Sequence, residues 1–217
     1  MVLSKRFKFK PYQIVMHVLA ITPLAFALLD FLIDPSFRTN VQRVEFRTGR
    51  WALIFVLLSL FGTPLYQILR LKQGTVIRKT LGRYAFVYAF LHVLTFLWLD
   101  YAFNLRLIWI TLGDTLYLIL GIVAFTILLL MMITSNPASM AFLKDNWKRL
   151  HRFIYLGGIL AILHYFLIEK SQTIWPIIAS IVLSILFLVR IPFIRDRLAI
   201  KKKAKRISIS TKTKPTT

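Results

Sequence analysis

Six long apolar runs alternate with short polar segments along the chain. Each run is close to the roughly 20 residues that an α-helix needs to cross a hydrocarbon core of about 30 Å. Aromatic residues lie near one or both ends of each run, as is typical of membrane–water interfaces. The pattern predicts an all-α integral membrane protein built as a six-helix bundle, with spans at Tyr12–Ile33, Trp51–Leu69, Tyr84–Phe103, Thr115–Ile133, Leu150–Ile168 and Ile174–Pro192.

Composition agrees with this pattern. Of the 217 residues, 58% are hydrophobic and 14% aromatic, which is too apolar for a soluble domain of this length. The sequence motif Ala25-Phe26-Ala27 resembles a signal-peptide cleavage site, but it lies inside the first apolar run. Since cleavage there would divide a good membrane span, we do not expect a cleavable signal peptide.

The net charge is +21, and the basic residues are concentrated in the segments predicted for one side of the membrane. Segments 1–10, 70–83, 135–152 and 190–217 carry 23 of the 29 Lys and Arg residues, while most acidic residues lie at the opposite ends of the spans. This positive-inside bias predicts that both termini are cytoplasmic and argues against nucleic-acid binding. We therefore expect a basic cytoplasmic N-terminus at 1–10, a six-span domain at 11–193, and a basic, disordered, lipid-attracted cytoplasmic tail at 194–217.

Several kinds of chemistry are excluded or disfavoured by the residues present. The chain has no cysteine, which excludes disulfides, cysteine-ligated iron–sulfur clusters and covalent c-type haem. Glu45 and Glu169 are expected in outer loops, so a proton relay or a di-iron site has no buried glutamate to use. We find no internal sequence repeat.

The four histidines are the remaining candidates, because all lie within or at the edge of a predicted span: His17, His92, His151 and His164. Neutral imidazole is a common axial ligand of haem iron, although imidazoles in membranes also simply hydrogen-bond between helices. His151 and His164 lie about 20 Å apart along one helix, so they must serve two different membrane levels. By depth, His92 pairs with His164, and His151 pairs with His17 or a non-histidine ligand, without this being the only arrangement.

A set of short motifs, in order, resembles a known family. The motifs are TGR at 48–50, TP at 63–64, RKTLGRYAFVYAFLH at 78–92, TS at 134–135, WKRLHRFIYL at 147–156 and HY at 164–165. Together they are similar to the haem-binding membrane subunits of bacterial periplasmic methionine-sulfoxide reductase systems, the MsrQ family, within the ferric-reductase-like transmembrane group.

The resemblance implies a b-type cytochrome of the bacterial inner membrane with one or two haems and FMN as a second cofactor. Electrons would arrive from the quinone pool or a cytosolic flavin reductase and leave to a periplasmic, molybdopterin-containing methionine-sulfoxide reductase subunit. The subunit itself would not act on methionine sulfoxide. By position, His92, His151 and His164 match the family's haem ligands, and His17 stands at a family-like position.

Basic residues complete the set that the resemblance suggests. Arg78, Lys79 and Arg83 would attract the FMN phosphate, although Lys79 replaces an arginine that is common in the family and offers no planar fork. Their other interpretation is positive-inside topology. Arg50 either pairs with a haem propionate or extends to the membrane interface as a snorkelling residue.

Two further functions stay open at this stage. The first is a stand-alone ferric-reductase-like haem oxidoreductase. The second is a haem-free membrane transporter or scaffold, in which the histidines only hydrogen-bond.

Overall fold

The computed structural model describes residues 10–36, 41–168 and 174–198, and in these residues the regular structure is entirely helical. The longer helices are α1 (Pro11–Ile33), α2 (Val41–Gln67), α3 (Gln73–Thr95), α5 (Leu116–Ile133), α8 (Ile154–Ile168) and α9 (Ile174–Leu188). The short helices are α4 (Leu105–Asp114), α6 (Pro137–Leu143), α7 (Asp145–Leu150) and α10 (Pro192–Leu198). A π-helical turn, Phe96–Asp100, extends α3, and a 3-10 turn, His151–Phe153, joins α7 to α8.

The predicted all-α membrane fold is confirmed. Five helical segments are long and apolar enough to cross a membrane: Pro11–Ile33, Val41–Gln67, Gln73–Asp100, Leu116–Ile133 and Asp145–Ile168. The sixth predicted span corresponds to α9 and α10, which are bent by 80° at the break between them. Among the described residues, the count is therefore five spans, or six when this bent pair is taken as one.

Local sequence signals explain several helix starts. Pro11 and Pro137 lie in the first turns of α1 and α6. A backbone N–H there has no acceptor within the helix, so proline loses no hydrogen bond. The side chain of Asn104 caps α4 by accepting from the N–H of Leu107 at 3.1 Å. Asn136 caps α6 by accepting from the N–H of Ser139 at 2.8 Å.

Two predicted boundaries were wrong in an informative way. α2 begins at Val41, ten residues before the expected start, because the arginines and Glu45 that interrupt the apolar pattern are nevertheless helical. α3 begins at Gln73, so Arg78, Lys79 and Arg83 lie on a helix rather than in a long inner loop. Parts of the predicted N-terminal and C-terminal segments (1–9 and 199–217) and Glu169 lie outside the described residues.

The closest helix packing is between α2 and α3. A Cβ atom placed on Gly62 would lie 2.6 Å from the carbonyl oxygen of Gly74, and one placed on Gly74 would lie 2.5 Å from the carbonyl oxygen of Gly62. Because neither residue has a side chain, the two backbones come into direct contact, as at small-residue interfaces in membranes. The core beside this contact contains Phe55, Leu60 and Tyr88, all at most 3% exposed.

Two helical hairpins form the centre of the bundle. α2 and α3 make the first, and α5 and α8 make the second, with Gly157 of α8 packed against Ile127 of α5. α1 is attached to the first hairpin by Tyr88, whose hydroxyl donates to the carbonyl of Ala20 at 2.9 Å. Both hairpins start and finish at the same end of the bundle, which we call the His92 end, and the opposite end is the His151 end.

The contact between Gly62 and Gly74 generates a stability prediction. Gly74→Ala should lower the free energy of unfolding by about 1–3 kcal/mol, because the added methyl group meets backbone atoms that cannot rotate away. Thermal unfolding of the protein in detergent measures this change. The matched control is Gly113→Ala, since a Cβ there has no neighbour within 4 Å. Equal loss of stability in both variants would contradict the proposed role of the contact.

Candidate functional site

His92 is held by the first hairpin. Its Nδ1 atom lies 3.0 Å from the carbonyl oxygen of Glu45 on α2. A carbonyl can only accept, so Nδ1 carries the proton and Nε2 presents its lone pair. A Cβ on Gly49, one turn further along α2, would lie 3.1 Å from Cε1 and Nδ1 of this ring. The glycine therefore leaves the space that the imidazole occupies.

His164 is held by the second hairpin in the same way. Its Nδ1 atom lies 2.7 Å from the carbonyl oxygen of Tyr117 on α5, which again makes Nδ1 the donor and leaves the lone pair on Nε2. A Cβ on Gly121 would lie 2.8 Å from Cε1 and Nδ1 of the ring. That separation is shorter than side chains tolerate, so only glycine fits at this position without moving the histidine.

The two half-sites have the same sequence spacing. In each hairpin the residue whose carbonyl accepts the hydrogen bond precedes the histidine by 47 positions, and the glycine follows that residue by one helical turn. The structure thus repeats one arrangement of carbonyl, glycine and histidine, although the sequence shows no internal repeat. The two hairpins run in the same direction, which relates them as a parallel repeat rather than an inverted one.

The two hairpins bring the rings of His92 and His164 together. Their centroids are 6.1 Å apart and their planes are at 82°. A metal–imidazole nitrogen bond is about 2 Å long, so two rings on opposite sides of one metal ion have centroids roughly 6 Å apart. Neither Nε2 atom forms a hydrogen bond within the described part of the chain. The donor set, the tautomers and the spacing thus fit bis-imidazole ligation of a haem iron.

His151 has a different environment at the opposite end of the bundle. Its Nε2 atom lies 3.1 Å from the hydroxyl oxygen of Thr134, and that hydroxyl donates to the carbonyl of Leu130 at 2.6 Å. The ring also stacks on Trp147 with centroids 4.0 Å apart. Because the Thr134 proton is already used, His151 donates from Nε2, which is the opposite tautomer to that of His92 and His164.

His17 lies on α1 and faces α3. Its Nδ1 atom is 2.8 Å from the hydroxyl oxygen of Tyr84. Both residues line a cleft of about 440 Å³ that also contains Lys79 and Arg83. Within the described residues no ring contact or hydrogen bond joins His17 to His151. The structure thus brings together one of the two predicted histidine pairs.

The four predicted basic residues are also separated. Lys79 and Arg83 line the cleft beside His17, whereas Arg78 packs against Gly62 of α2, where an added Cβ would lie 2.9 Å from the Cβ of Arg78. Arg50 lies at the other end of the bundle.

Arg50 connects the histidine pair to a second cleft. Its Nε atom is 3.3 Å from the hydroxyl oxygen of Tyr165, the neighbour of His164, and its guanidinium lies 5.0 Å from the ring centroid of Trp175. The cleft has a volume of about 560 Å³, and Arg43 and Arg47 line it as well. Arg47 also pairs with Asp30 of α1.

Glu45 is a residue whose place the sequence pattern did not predict. It was expected in a loop, but it lies in α2, where its backbone carbonyl orients His92. Its Oε1 atom is buried without a hydrogen-bond partner in the described residues, and its side chain lies beside Asp100. The expectation that Glu45 lies in an outer loop was therefore wrong. The helical spacing from Glu45 to Gly49 could have suggested this position.

The fold and this site define a class: a helical membrane protein with an imidazole pair supplied by two facing hairpins. The ferric reductase like transmembrane component family matches residues 48–162. Among individual relatives, the protein-methionine-sulfoxide reductase heme-binding subunit MsrQ of Xanthomonas campestris pv. campestris (strain 8004) is 38% identical over 150 residues, covering 67% of each chain. MsrQ of Rhodospirillum rubrum is 30% identical over 191 residues, covering 85% of this chain and 90% of the relative.

A third relative, MsrQ of Xanthomonas euvesicatoria pv. vesicatoria, is 36% identical over 182 residues, covering 78% of this chain and 81% of its own. The chain therefore belongs to the ferric-reductase-like transmembrane family and, within it, to the MsrQ group. The resemblance seen in the sequence motifs is confirmed, as is a multi-pass bacterial membrane protein.

Proposed function

We propose that this protein is the haem-binding membrane subunit of a methionine-sulfoxide reductase system and carries electrons across the bacterial inner membrane. The observation that supports this most directly is the pair of imidazoles at 6.1 Å, each with Nδ1 on a backbone carbonyl. The names of the relatives, which state heme binding and a methionine-sulfoxide reductase, support the same assignment.

His92 and His164 would hold the iron of one b-type haem through Nε2. When bound, the haem supplies a one-electron carrier in the low-dielectric part of the membrane. The carbonyls of Glu45 and Tyr117 fix the tautomer and the orientation of each ring, the role that outer-shell partners have at metal sites. Gly49 and Gly121 leave room for the rings, and Arg50, which lies beside Tyr165, would pair with a haem propionate.

A second redox level is proposed at the His151 end. His151 would take part in a second haem or a flavin site, and to ligate through Nε2 it would have to release Thr134. The cleft lined by Lys79 and Arg83 offers two positive charges for an FMN phosphate. Quinol or a cytosolic flavin reductase would supply electrons at this level.

The direction of transfer follows from the charge distribution. With the basic segments on the cytoplasmic side, the His151 end would face the cytoplasm and the His92 end would face the periplasm. The electron acceptor at that side would be a molybdopterin-containing methionine-sulfoxide reductase subunit. The cleft lined by Arg43, Arg47 and Arg50 lies at this end of the bundle, on the side where electrons would leave.

Removing either histidine of the pair should remove the same haem. We expect His92→Ala and His164→Ala each to lower the haem-to-protein ratio by one equivalent, because one imidazole alone leaves an axial position open. Haem content and the reduced-minus-oxidised absorption spectrum of the purified variants measure this. His17→Ala is the control and should keep that haem. A normal ratio in His92→Ala would overturn the assignment.

Enlarging Gly121 should disturb the site without deleting a ligand. In Gly121→Ala the new methyl group lies 2.8 Å from the His164 ring, so the ring must move. We expect a lower haem content and a shifted spectrum. The matched control is Gly82→Ala, where the new group meets only the Ser59 hydroxyl at 3.2 Å. If both variants have wild-type spectra, the glycine has no role in placing the ring.

The orientation can be tested with single cysteines, because the chain has none of its own. Asp114→Cys lies at the end of α4 and Asp145→Cys at the start of α7, and both positions are exposed. A membrane-impermeant maleimide should label Asp114→Cys in intact spheroplasts and Asp145→Cys only after permeabilisation. The reverse pattern would place the His151 end in the periplasm.

A further inference from the structure

Arg190 follows α9 and reaches across the bundle to a carbonyl on α2. Its Nη2 atom donates to the carbonyl oxygen of Leu60 at 2.5 Å. In a regular helix this carbonyl would accept from the N–H of residue 64, but residue 64 is Pro64, which has no N–H. Arg190 therefore donates the hydrogen bond that this proline cannot. The contact assigns a structural role to the proline of the TP motif at 63–64.

The Arg190 guanidinium is fixed on a second side by an aromatic ring. Its central carbon lies 4.8 Å from the ring centroid of Tyr155 on α8, within the range of a cation–π contact. Arg190 stands in the break between α9 and α10, whose 80° bend turns the chain at this point. The side chain is thus held in one orientation by α2 and α8 together.

The other nitrogens of Arg190 are without a partner. Nε and Nη1 are both buried and form no hydrogen bond within the described residues. Leaving buried donors of a charged group unpaired is costly, which is why such groups are normally paired. A snorkelling arginine would expose these nitrogens to water or headgroups. The hydrogen bond to the Leu60 carbonyl uses only Nη2, so it does not explain why Nε and Nη1 are buried.

The surroundings of Arg190 are cationic. Arg78 on α3 packs against the same part of α2 as Leu60: a Cβ placed on Gly62 would lie 2.9 Å from the Cβ of Arg78, and the Ser59 hydroxyl donates to the carbonyl oxygen of Arg78 at 2.8 Å. None of the ion pairs formed by described residues includes Arg78 or Arg190. Two guanidinium groups without a carboxylate repel each other in a low-dielectric region. An anion between them would remove that repulsion and use the unpaired donors.

We propose that Arg190 and Arg78 form a binding site for one oxyanion, a phosphate or a carboxylate, at the His151 end of the bundle. The proposal rests on the proposed function, since the oxyanion would belong to a group bound there: the phosphate of FMN, the propionate of a second haem, or the phosphate of a lipid. Guanidinium groups suit such ligands because they form charge-assisted hydrogen bonds in a planar arrangement.

Arg190→Gln in the full-length protein tests the site. The substitution removes the positive charge, and because glutamine is shorter than arginine it also removes the hydrogen bond to the Leu60 carbonyl. Pro64→Ala provides the matched background, because it restores the N–H at residue 64. The Leu60 carbonyl can then accept a helical hydrogen bond and no longer depends on Arg190 as its donor. The double variant Pro64→Ala/Arg190→Gln therefore separates loss of the anion site from loss of the structural attachment.

Three ligand pairs distinguish the source of the oxyanion. FMN is compared with riboflavin, haem b with its dimethyl ester, and phospholipid with a phosphate-free neutral glycolipid in nanodiscs. Loss of a charge-assisted hydrogen bond should weaken binding of the member that carries the oxyanion by about tenfold or more, with its neutral counterpart unchanged. Flavin fluorescence quenching, haem titration and mass spectrometry of co-purified lipid measure these affinities.

The binding affinities of the double variant are compared with those of Pro64→Ala. Weaker binding of only the oxyanion-bearing member of one pair supports the site and identifies its ligand. Unchanged binding in all three pairs overturns it, as does an equal loss for both members of every pair. The haem held by His92 and His164 is followed in the same samples by its spectrum. If that haem is absent from the wild-type protein, the proposed function fails independently of Arg190.

Discussion

An apolar surrounding requires every backbone carbonyl and N–H to find a partner inside the protein, and this constraint shapes the site. Carbonyls in a regular helix have a second lone pair, and His92 and His164 use such carbonyls at Glu45 and Tyr117. The hydroxyl of Tyr88 uses another, at Ala20. Where Pro64 removes an N–H, Arg190 replaces it as donor. These polar side chains thus bind backbone carbonyls, and they need no acidic or amide side chain as a partner in the membrane.

The same constraint explains the repeated half-site. A carbonyl acceptor can be supplied by any residue type, so Glu45 and Tyr117 have nothing in common in side-chain chemistry. The two hairpins do share a glycine one turn after the residue that supplies the carbonyl, and a histidine on the second helix. This repeat is defined by backbone positions, and a comparison of residue types along the chain does not detect it.

Depth along the predicted spans allowed a pairing of His92 with His164 without requiring it, because the spans and their directions follow from apolar length and charge. Hydropathy failed at the start of α2, where Arg43, Glu45 and Arg47 interrupt the apolar pattern while the helix continues and Arg47 pairs with Asp30. It also failed for Arg190, which appears in the sequence as one more basic residue near a span end. Its contact with Leu60 joins residues 130 positions apart, and no local pattern encodes that distance.

The division of the site between two hairpins has a consequence for the order of assembly. Each histidine is oriented by a carbonyl of its own hairpin, so each half can acquire its final geometry before the two halves meet. The first hairpin leaves the ribosome earlier and must wait in the membrane with an incomplete site. A ligand held by both rings would need the second hairpin as well as the first, so it could bind only after α5 and α8 have inserted.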